Sequence, residues 1–205
     1  MRIYATLGAI TGWLAVPGQF YLIIVNRPAT IPETVVRFFS YFTILTNILV
    51  ALSFTALLLR QGSSWRRFFS RPGVLTAIAV YIAVVGIVYN LVLRALWKPE
   101  GLQRMVDELL HTVIPLLYIV FWLINVSHSA LSWKAILSWL IYPFIYFLYV
   151  LAGGALSGFY PYPFVNVREH GYGAVLLNSL YIMCAFVFLS AVFISIGKAR
   201  SKALS

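Results

Sequence analysis

The sequence predicts an all-α, polytopic membrane protein, a bundle of six transmembrane helices, and three observations support this. Hydrophobic residues make up 62% of the chain and charged residues only 10%, and the mean hydropathy is +0.92. Such values lie far outside the range of a soluble domain. The apolar residues form six runs, each long enough to cross a hydrocarbon core of about 30 Å as a helix. No soluble domain or long linker is apparent, so residues 1–205 are predicted to form a single transmembrane domain.

The six predicted spans follow one another along the chain with short connections. They lie near Ile3–Val25, Phe38–Leu59, Val74–Leu96, Leu109–Val126, Ala135–Leu151 and Ala174–Ile196. The first is expected to be a spanning helix and not a signal peptide, because its apolar stretch is too long and no small-x-small cleavage site follows it. The single cysteine, Cys184, lies in the sixth span, which excludes an internal disulfide framework and a multi-cysteine metal site.

The distribution of basic residues predicts that both termini are cytoplasmic. With the N-terminus inside, nine basic residues and no acidic residue fall on the inner side, namely Arg2, Arg60, Arg66, Arg67, Arg71, Lys134, Lys198, Arg200 and Lys202. The outer side receives all five acidic residues and six basic ones, namely Arg27, Arg37, Arg94, Lys98, Arg104 and Arg168. The inner charges stand in short loops beside membrane ends. They therefore indicate orientation and attraction to anionic headgroups, and not a nucleic-acid partner.

Three ionisable residues stand together in the stretch DELLH, where the fourth predicted span begins. On a helix that starts near Asp107, His111 lies at i+4 from Asp107 and at i+3 from Glu108. A carboxylate at one ring nitrogen would fix the tautomer and leave the other nitrogen as a base, and either acid can serve. The alternative is structural: the two acids complement the positive end of the helix dipole, and His111 is hydrated at the membrane boundary.

A second polar cluster lies in the second predicted span. Thr43 and Asn47 are four residues apart on one helical face, with Thr46 beside them. This span enters from the outer side, so Thr43 is expected about 8 Å below its start, at a depth similar to that of His111. A hydroxyl beside a carboxylate-oriented imidazole is the arrangement that nucleophilic acyl transfer requires. In the structural alternative, the threonines bond to i−4 carbonyl groups and Asn47 joins two helices.

Further polar and aromatic residues are predicted on the same outer side. The aromatic connection between the fifth and sixth spans, over residues 153–173, is expected to fold back as a lid over the helix ends. Asn47 or Asn178 is the candidate donor to a developing oxyanion, and Arg94 is the candidate for holding a carboxylate headgroup. The predicted substrate-binding residues are Arg94, Tyr162, Phe164 and Tyr181.

Four motifs occur in order over nearly the whole chain: FFSYFTILTN, ELLHTVIPLLYIVFWL, YPYPF and LLNSLY. They resemble the bacterial six-helix branch of the androgen-induced protein family, which in animals includes the androgen-dependent regulator of tissue factor pathway inhibitor. The animal members are membrane threonine hydrolases that cleave fatty acid esters of hydroxy fatty acids. The resemblance implies that Thr43 is the nucleophile and His111 the base, in a protein of a bacterial plasma membrane.

The predicted function is therefore intramembrane hydrolysis of long-chain lipid esters, towards the non-cytoplasmic half of the membrane. Neither a cofactor nor a metal is expected, and the predicted partners are membrane lipids or long-chain fatty acyl esters. A non-catalytic lipid-binding or lipid-transport protein is the first alternative. Haem held between His111 and His170 is a weaker alternative, because His170 lies in a loop rich in turn residues and His128 falls on the opposite side.

Overall fold

The computed structural model describes residues 1–126 and 131–203, and this part of the chain is helical without any strand. Five helices are long and apolar enough to cross a membrane, over Arg2–Val25, Pro72–Ala95, Gly101–Asn125, Ala135–Ser157 and Val167–Arg200. A bent pair, Ile31–Phe39 and Phe42–Leu58, meets at 70° and adds a sixth crossing if its two helices form one span. These long apolar helices indicate a multi-pass integral membrane protein.

The described residues form ten α-helices, numbered here in chain order. They are α1 Arg2–Val25, α2 Ile31–Phe39, α3 Phe42–Leu58, α4 Ser64–Phe69, α5 Pro72–Leu91, α6 Gly101–Glu108, α7 Ile114–Asn125, α8 Ala135–Trp139, α9 Ile141–Ser157 and α10 Val167–Ala203. A π-helical turn over Leu109–Val113 joins α6 to α7, and 3₁₀ turns lie at Leu93–Ala95 and Pro163–Val165. Gly158 ends α9 with a φ of 75°, and α10 is kinked at Gly171.

Helices α1 and α3 pack closely through small residues. A Cβ atom at Gly8 would lie 2.5 Å from the ring of Phe54, and one at Gly12 would lie 2.8 Å from the Cβ atom of Ala51. Because both glycines lack this atom, the two backbones approach as they do in other membrane helix pairs with small residues four apart.

Burial places α5 at the centre of the bundle and the span of α8 and α9 at its edge. In the most apolar 18-residue stretch of each span, 67% of the residues are buried for Pro72–Ala95 and 17% for Ala135–Ser157. Large apolar side chains such as Leu137, Phe144 and Leu148 are exposed on the outside. An apolar exterior of this kind suits contact with lipid chains.

The second predicted span, Phe38–Leu59, is not one continuous helix, because the chain breaks at Ser40 and Tyr41. The Tyr146 hydroxyl of α9 donates to the Ser40 carbonyl at 2.8 Å and accepts from the Phe42 N–H at 3.2 Å. A break within an apolar environment is tolerated when its backbone groups are satisfied in this way. As a result, Thr43 is the second residue of α3 instead of lying well inside a longer helix.

The fourth predicted span, Leu109–Val126, begins earlier than expected, at Gly101. Residues Gly101–Glu108 include several polar side chains, so a search for apolar runs does not include them in the span. Asp107 and Glu108 therefore do not lie in a first helical turn, and the interpretation that they complement a helix dipole is wrong for this helix. Another account is needed for both acids.

Candidate functional site

A cavity of about 470 Å³ lies at the end of the bundle where α1 and α5 finish and α3 and α6 begin. Thr43 and His111 both line it, together with Tyr89, Asp107 and Tyr162. The structure thus brings to one cavity the two residues that the sequence analysis assigns as nucleophile and base.

The His111 imidazole is held at one nitrogen by Asp107. Its Nδ1 lies 2.9 Å from the Asp107 backbone carbonyl oxygen and 3.4 Å from the carboxylate Oδ1. A carbonyl oxygen only accepts, so this network assigns the proton of the neutral ring to Nδ1 and the lone pair to Nε2. Among the described residues, no side chain or backbone group hydrogen-bonds to Nε2. This nitrogen is therefore available as a base.

Tyr89 of α5 contacts both members of this pair. Its hydroxyl donates to Oδ2 of the buried Asp107, and its ring stacks on the imidazole with centroids 3.9 Å apart and an interplanar angle of 14°. The sequence analysis did not single out Tyr89. One feature of the sequence could have indicated Tyr89: its hydroxyl group lies near the end of the third predicted span, five residues before Arg94.

Glu108 has different partners. Its Oε2 accepts from Arg94 at 2.7 Å and from the Thr112 hydroxyl at 2.8 Å, and Arg94 also donates to Thr112 at 3.2 Å. Of the two acids that sequence spacing left open, Asp107 is the one beside His111. Arg94 lines neither of the two cavities described here, and its charge is paired, so a contact between Arg94 and a substrate carboxylate is not preformed.

The π-helical turn that contains His111 has a local cause in Pro115. Proline lacks an N–H, so the carbonyl groups one turn earlier lose a regular partner. Ile114 donates instead to Leu109, five residues before it, which produces the wider turn. Two carbonyl groups, those of Leu110 and His111, consequently need donors from other helices.

Two asparagines supply these donors. Asn47 Nδ2 lies 3.2 Å from the Leu110 carbonyl oxygen and 2.8 Å from that of Thr43, while Asn90 Nδ2 lies 3.2 Å from that of His111. Asn47 thus joins the backbone at Thr43 to the turn that carries His111. It lines neither cavity and its amide nitrogen is already engaged, so it is not placed as an oxyanion donor.

The Thr43 side chain is buried and contacts Tyr162 from the connection after α9. The Tyr162 hydroxyl oxygen lies 3.3 Å from the Thr43 backbone nitrogen and 3.4 Å from Thr43 Oγ1. Burial raises the pKa of Tyr162 to about 12, and its hydrogen bonds with Thr43 offset part of that rise. Tyr162 is therefore protonated and able to donate at neutral pH. No hydrogen bond joins Thr43 Oγ1 to His111 in the described structure.

A second cavity, of about 330 Å³, adjoins the first and is lined almost entirely by apolar side chains of α5, α9 and α10. The residues that line both cavities are Thr43, Tyr89, Leu93 and Tyr162. Thr43 accordingly lies at the border between the two spaces.

The other residues that the sequence analysis assigned to the site lie in different surroundings. Phe164 lines the apolar cavity and stacks on Tyr162 with ring centroids 5.2 Å apart. Asn178 donates to the Phe164 carbonyl at 3.1 Å, and Tyr181 is 63% exposed; neither lines a cavity. The structure thus places Phe164 at the apolar cavity, whereas Asn178 and Tyr181 line neither of the two cavities.

The histidine pair considered for haem is not assembled at either cavity. His170 is exposed near the start of α10 and lines neither of them, and His128 lies outside the described residues. Over residues 1–126 and 131–203, no group of three or more His, Cys, Asp or Glu side chains is arranged to hold a metal ion.

Comparison of the chain with protein-family models, with curated proteins and with solved structures finds no match.

Proposed function

We propose that the protein is an intramembrane hydrolase of long-chain lipid esters in which Thr43 is the nucleophile and His111 the base. One observation supports this above others: both residues line one cavity, and Asp107 contacts Nδ1 of His111, which leaves Nε2 free to act as the base. The resemblance to the androgen-induced protein family points to the same two residues and to fatty acid esters of hydroxy fatty acids as candidate substrates.

The proposed setting is a bacterial plasma membrane with six crossings, both termini in the cytoplasm and the site in the non-cytoplasmic half. The charge asymmetry of the loops supports this orientation. A long-chain ester suits a site at this position, because its hydrocarbon chains need not leave an apolar medium to react.

In the proposed mechanism, the Thr43 hydroxyl turns from Tyr162 towards His111 when substrate enters. Thr43 Oγ1 attacks the ester carbonyl carbon while His111 Nε2 takes the hydroxyl proton, and Asp107 stabilises the resulting imidazolium. The bond to the alkoxy oxygen then breaks, and His111 returns the proton to the leaving alcohol. Water attacks the acyl-threonine with the same base, which releases the fatty acid and restores Thr43.

The negative charge that develops on the carbonyl oxygen requires donors close to Thr43 Oγ1. The Tyr162 hydroxyl is the first candidate, and the Thr43 backbone N–H is the second once it exchanges its bond to the Tyr162 oxygen for one to the substrate oxygen. Thr43 also lies in the first turn of α3, where backbone N–H groups lack helical partners and the helix dipole favours negative charge. These groups replace the asparagine donors that the sequence suggested.

The test is hydrolysis of a long-chain ester by purified protein in detergent, compared with Thr43→Ala and His111→Ala. We expect each substitution to lower kcat by about 10³-fold or more, since each removes an essential group. Thr46→Ala is the matched control on the same helix, because Thr46 is also buried but lines neither cavity. His170→Ala serves the same purpose for His111. Full activity in folded Thr43→Ala would exclude the mechanism.

A non-catalytic lipid-binding or lipid-transport function is the second candidate. It is favoured by the hydrogen bond of the Thr43 hydroxyl to Tyr162 in place of His111, and by the apolar cavity beside it. Fatty acid binding without turnover, at an affinity that Thr43→Ala leaves unchanged, would support this function over hydrolysis.

A further inference from the structure

The two cavities that meet at Thr43 differ in chemistry, and this difference assigns the two arms of an ester. An ester carbonyl held at Thr43 has a chain on each side. The leaving alcohol must receive its proton from His111, and His111 lines only the larger cavity. The alcohol arm therefore occupies the larger cavity, and the acyl arm occupies the apolar one.

The larger cavity contains an amide pair away from the reacting groups. Gln103 of α6 donates from Nε2 to Oε1 of Gln19 on α1 at 2.8 Å, and both side chains are half-buried. Within the described residues, the Gln19 amide nitrogen and the Gln103 amide oxygen have no further hydrogen-bond partner. The pair thus offers one donor group and one acceptor group to a ligand.

The charges that face this cavity do not suit an anionic ligand group. Among the described residues, no lysine or arginine lines it, and Asp107 contributes a negative charge. A protonated His111 would already be faced by Asp107, and Arg94 is held by Glu108 and Thr112. A carboxylate or phosphate in this cavity would be desolvated beside another anion without a cation, which is costly.

From the amide pair and the absence of a lining cation, we infer that the alcohol arm of the substrate carries an uncharged hydroxyl or amide group bound by Gln19 and Gln103. This inference rests on the proposed hydrolase function and narrows its substrate class to esters of uncharged polar alcohols. A free carboxylate on the alcohol arm, as in a fatty acid ester of a hydroxy fatty acid, is selected against.

The test uses two substrates that differ only in charge: a fatty acid ester of a hydroxy fatty acid as the free acid, and the same ester as its primary amide. We expect the wild-type protein to favour the amide in kcat/KM by about tenfold or more. Gln103→Lys should raise kcat/KM for the free acid by about tenfold, since it supplies the missing cation. Gln61→Lys, in an exposed loop that lines neither cavity, is the matched control and should leave the preference unchanged.

An equal or higher kcat/KM for the free acid, or a preference that Gln103→Lys does not alter, would overturn the inference. Binding of non-hydrolysable ether analogues of both compounds to Thr43→Ala separates this inference from the hydrolase proposal. If no ester is hydrolysed but the amide ether binds about tenfold more tightly than the acid ether, and Gln103→Lys reverses the order, the cavity assignment holds and the proposed hydrolysis fails. If esters are hydrolysed but the acid ether binds more tightly, hydrolysis holds and the inference fails.

Discussion

The imidazole of His111 is oriented by two oxygen atoms of one residue, Asp107. The backbone carbonyl lies at hydrogen-bond distance, 2.9 Å, and the carboxylate is slightly farther, at 3.4 Å. Because the carbonyl alone can keep the proton on Nδ1, the carboxylate would act in the proposed mechanism mainly by stabilising the charge of the imidazolium. Tyr89 then fixes the carboxylate through its hydroxyl group.

This division of roles predicts a modest effect of Asp107→Asn on activity. We expect kcat to fall by about 10- to 100-fold, because the charge is lost while the backbone carbonyl preserves the tautomer. Where a carboxylate also sets the tautomer, the same change costs roughly 10⁴-fold. Steady-state kinetics on the long-chain ester would check this. A fall as large as that of His111→Ala, in a variant with unchanged thermal stability, would show that the carboxylate sets the tautomer.

Spacing along the sequence predicts which residues lie near His111 better than it predicts the partners that they contact. The spacing in DELLH places two acids within reach of His111, but it cannot show that Glu108 is engaged by Arg94 and Thr112. The stacking of Tyr89 on His111 depends on how α5 meets the π-helical turn, and no local pattern encodes that contact. Asn47 does join two helices, as its structural alternative predicted.

At the scale of secondary structure, two helix breaks position the site. The bend between α2 and α3 places Thr43 in a first helical turn, and the π-helical turn before α7 carries His111. Hydropathy located these spans but not their breaks, since the side chains that satisfy the free backbone groups come from distant helices. Tyr146 and Asn47 are the clearest examples.

The account of the π-helical turn predicts unequal costs for its two asparagines. Asn47→Ala should lower the free energy of unfolding by about 2–3 kcal/mol, because it leaves the buried Leu110 carbonyl group without a donor. Asn90→Ala should cost about 0.5–1 kcal/mol, because Asn90 is exposed and other donors can replace it. Equilibrium unfolding in mixed detergent would measure both values.

Pro115→Ala tests whether the missing N–H of Pro115 causes the π-helical turn. It restores an N–H that can bond to a carbonyl of the turn, so Asn47→Ala should cost about 1 kcal/mol less in this background than in the wild type. An unchanged cost of Asn47→Ala, or equal costs for both asparagines, would contradict the proposed cause of the turn.

At the scale of the whole molecule, the number of crossings and the loop charges together predict an orientation. Five helices and one bent pair give an even number of crossings if the pair forms one span, so both termini would lie on one side. The excess of basic residues on that side predicts that it faces the cytoplasm. Composition and hydropathy predicted the helical, multi-pass character that the described residues show, because length and hydropathy act on each segment separately. The cavities were not predictable, since they depend on how the helices pack.

This orientation can be tested with single cysteines in a Cys184→Ser background. Ser63→Cys lies in the basic connection before α4, and Lys98→Cys lies between α5 and α6. In intact bacterial cells, a membrane-impermeant maleimide should label Lys98→Cys and should label Ser63→Cys only after the membrane is permeabilised. Labelling of Ser63→Cys in intact cells, with Lys98→Cys protected, would reverse the topology and place the site in the cytoplasmic half.

Covalent acylation of Thr43 during turnover is tested most directly by the site that an active-site probe modifies. The purified protein would be treated with a long-chain fluorophosphonate, with and without excess ester, and its peptides analysed by mass spectrometry. The account predicts an adduct on Thr43 that excess ester suppresses and that His111→Ala abolishes. An adduct confined to another residue, or none in a protein that hydrolyses the ester, would contradict Thr43 as the nucleophile.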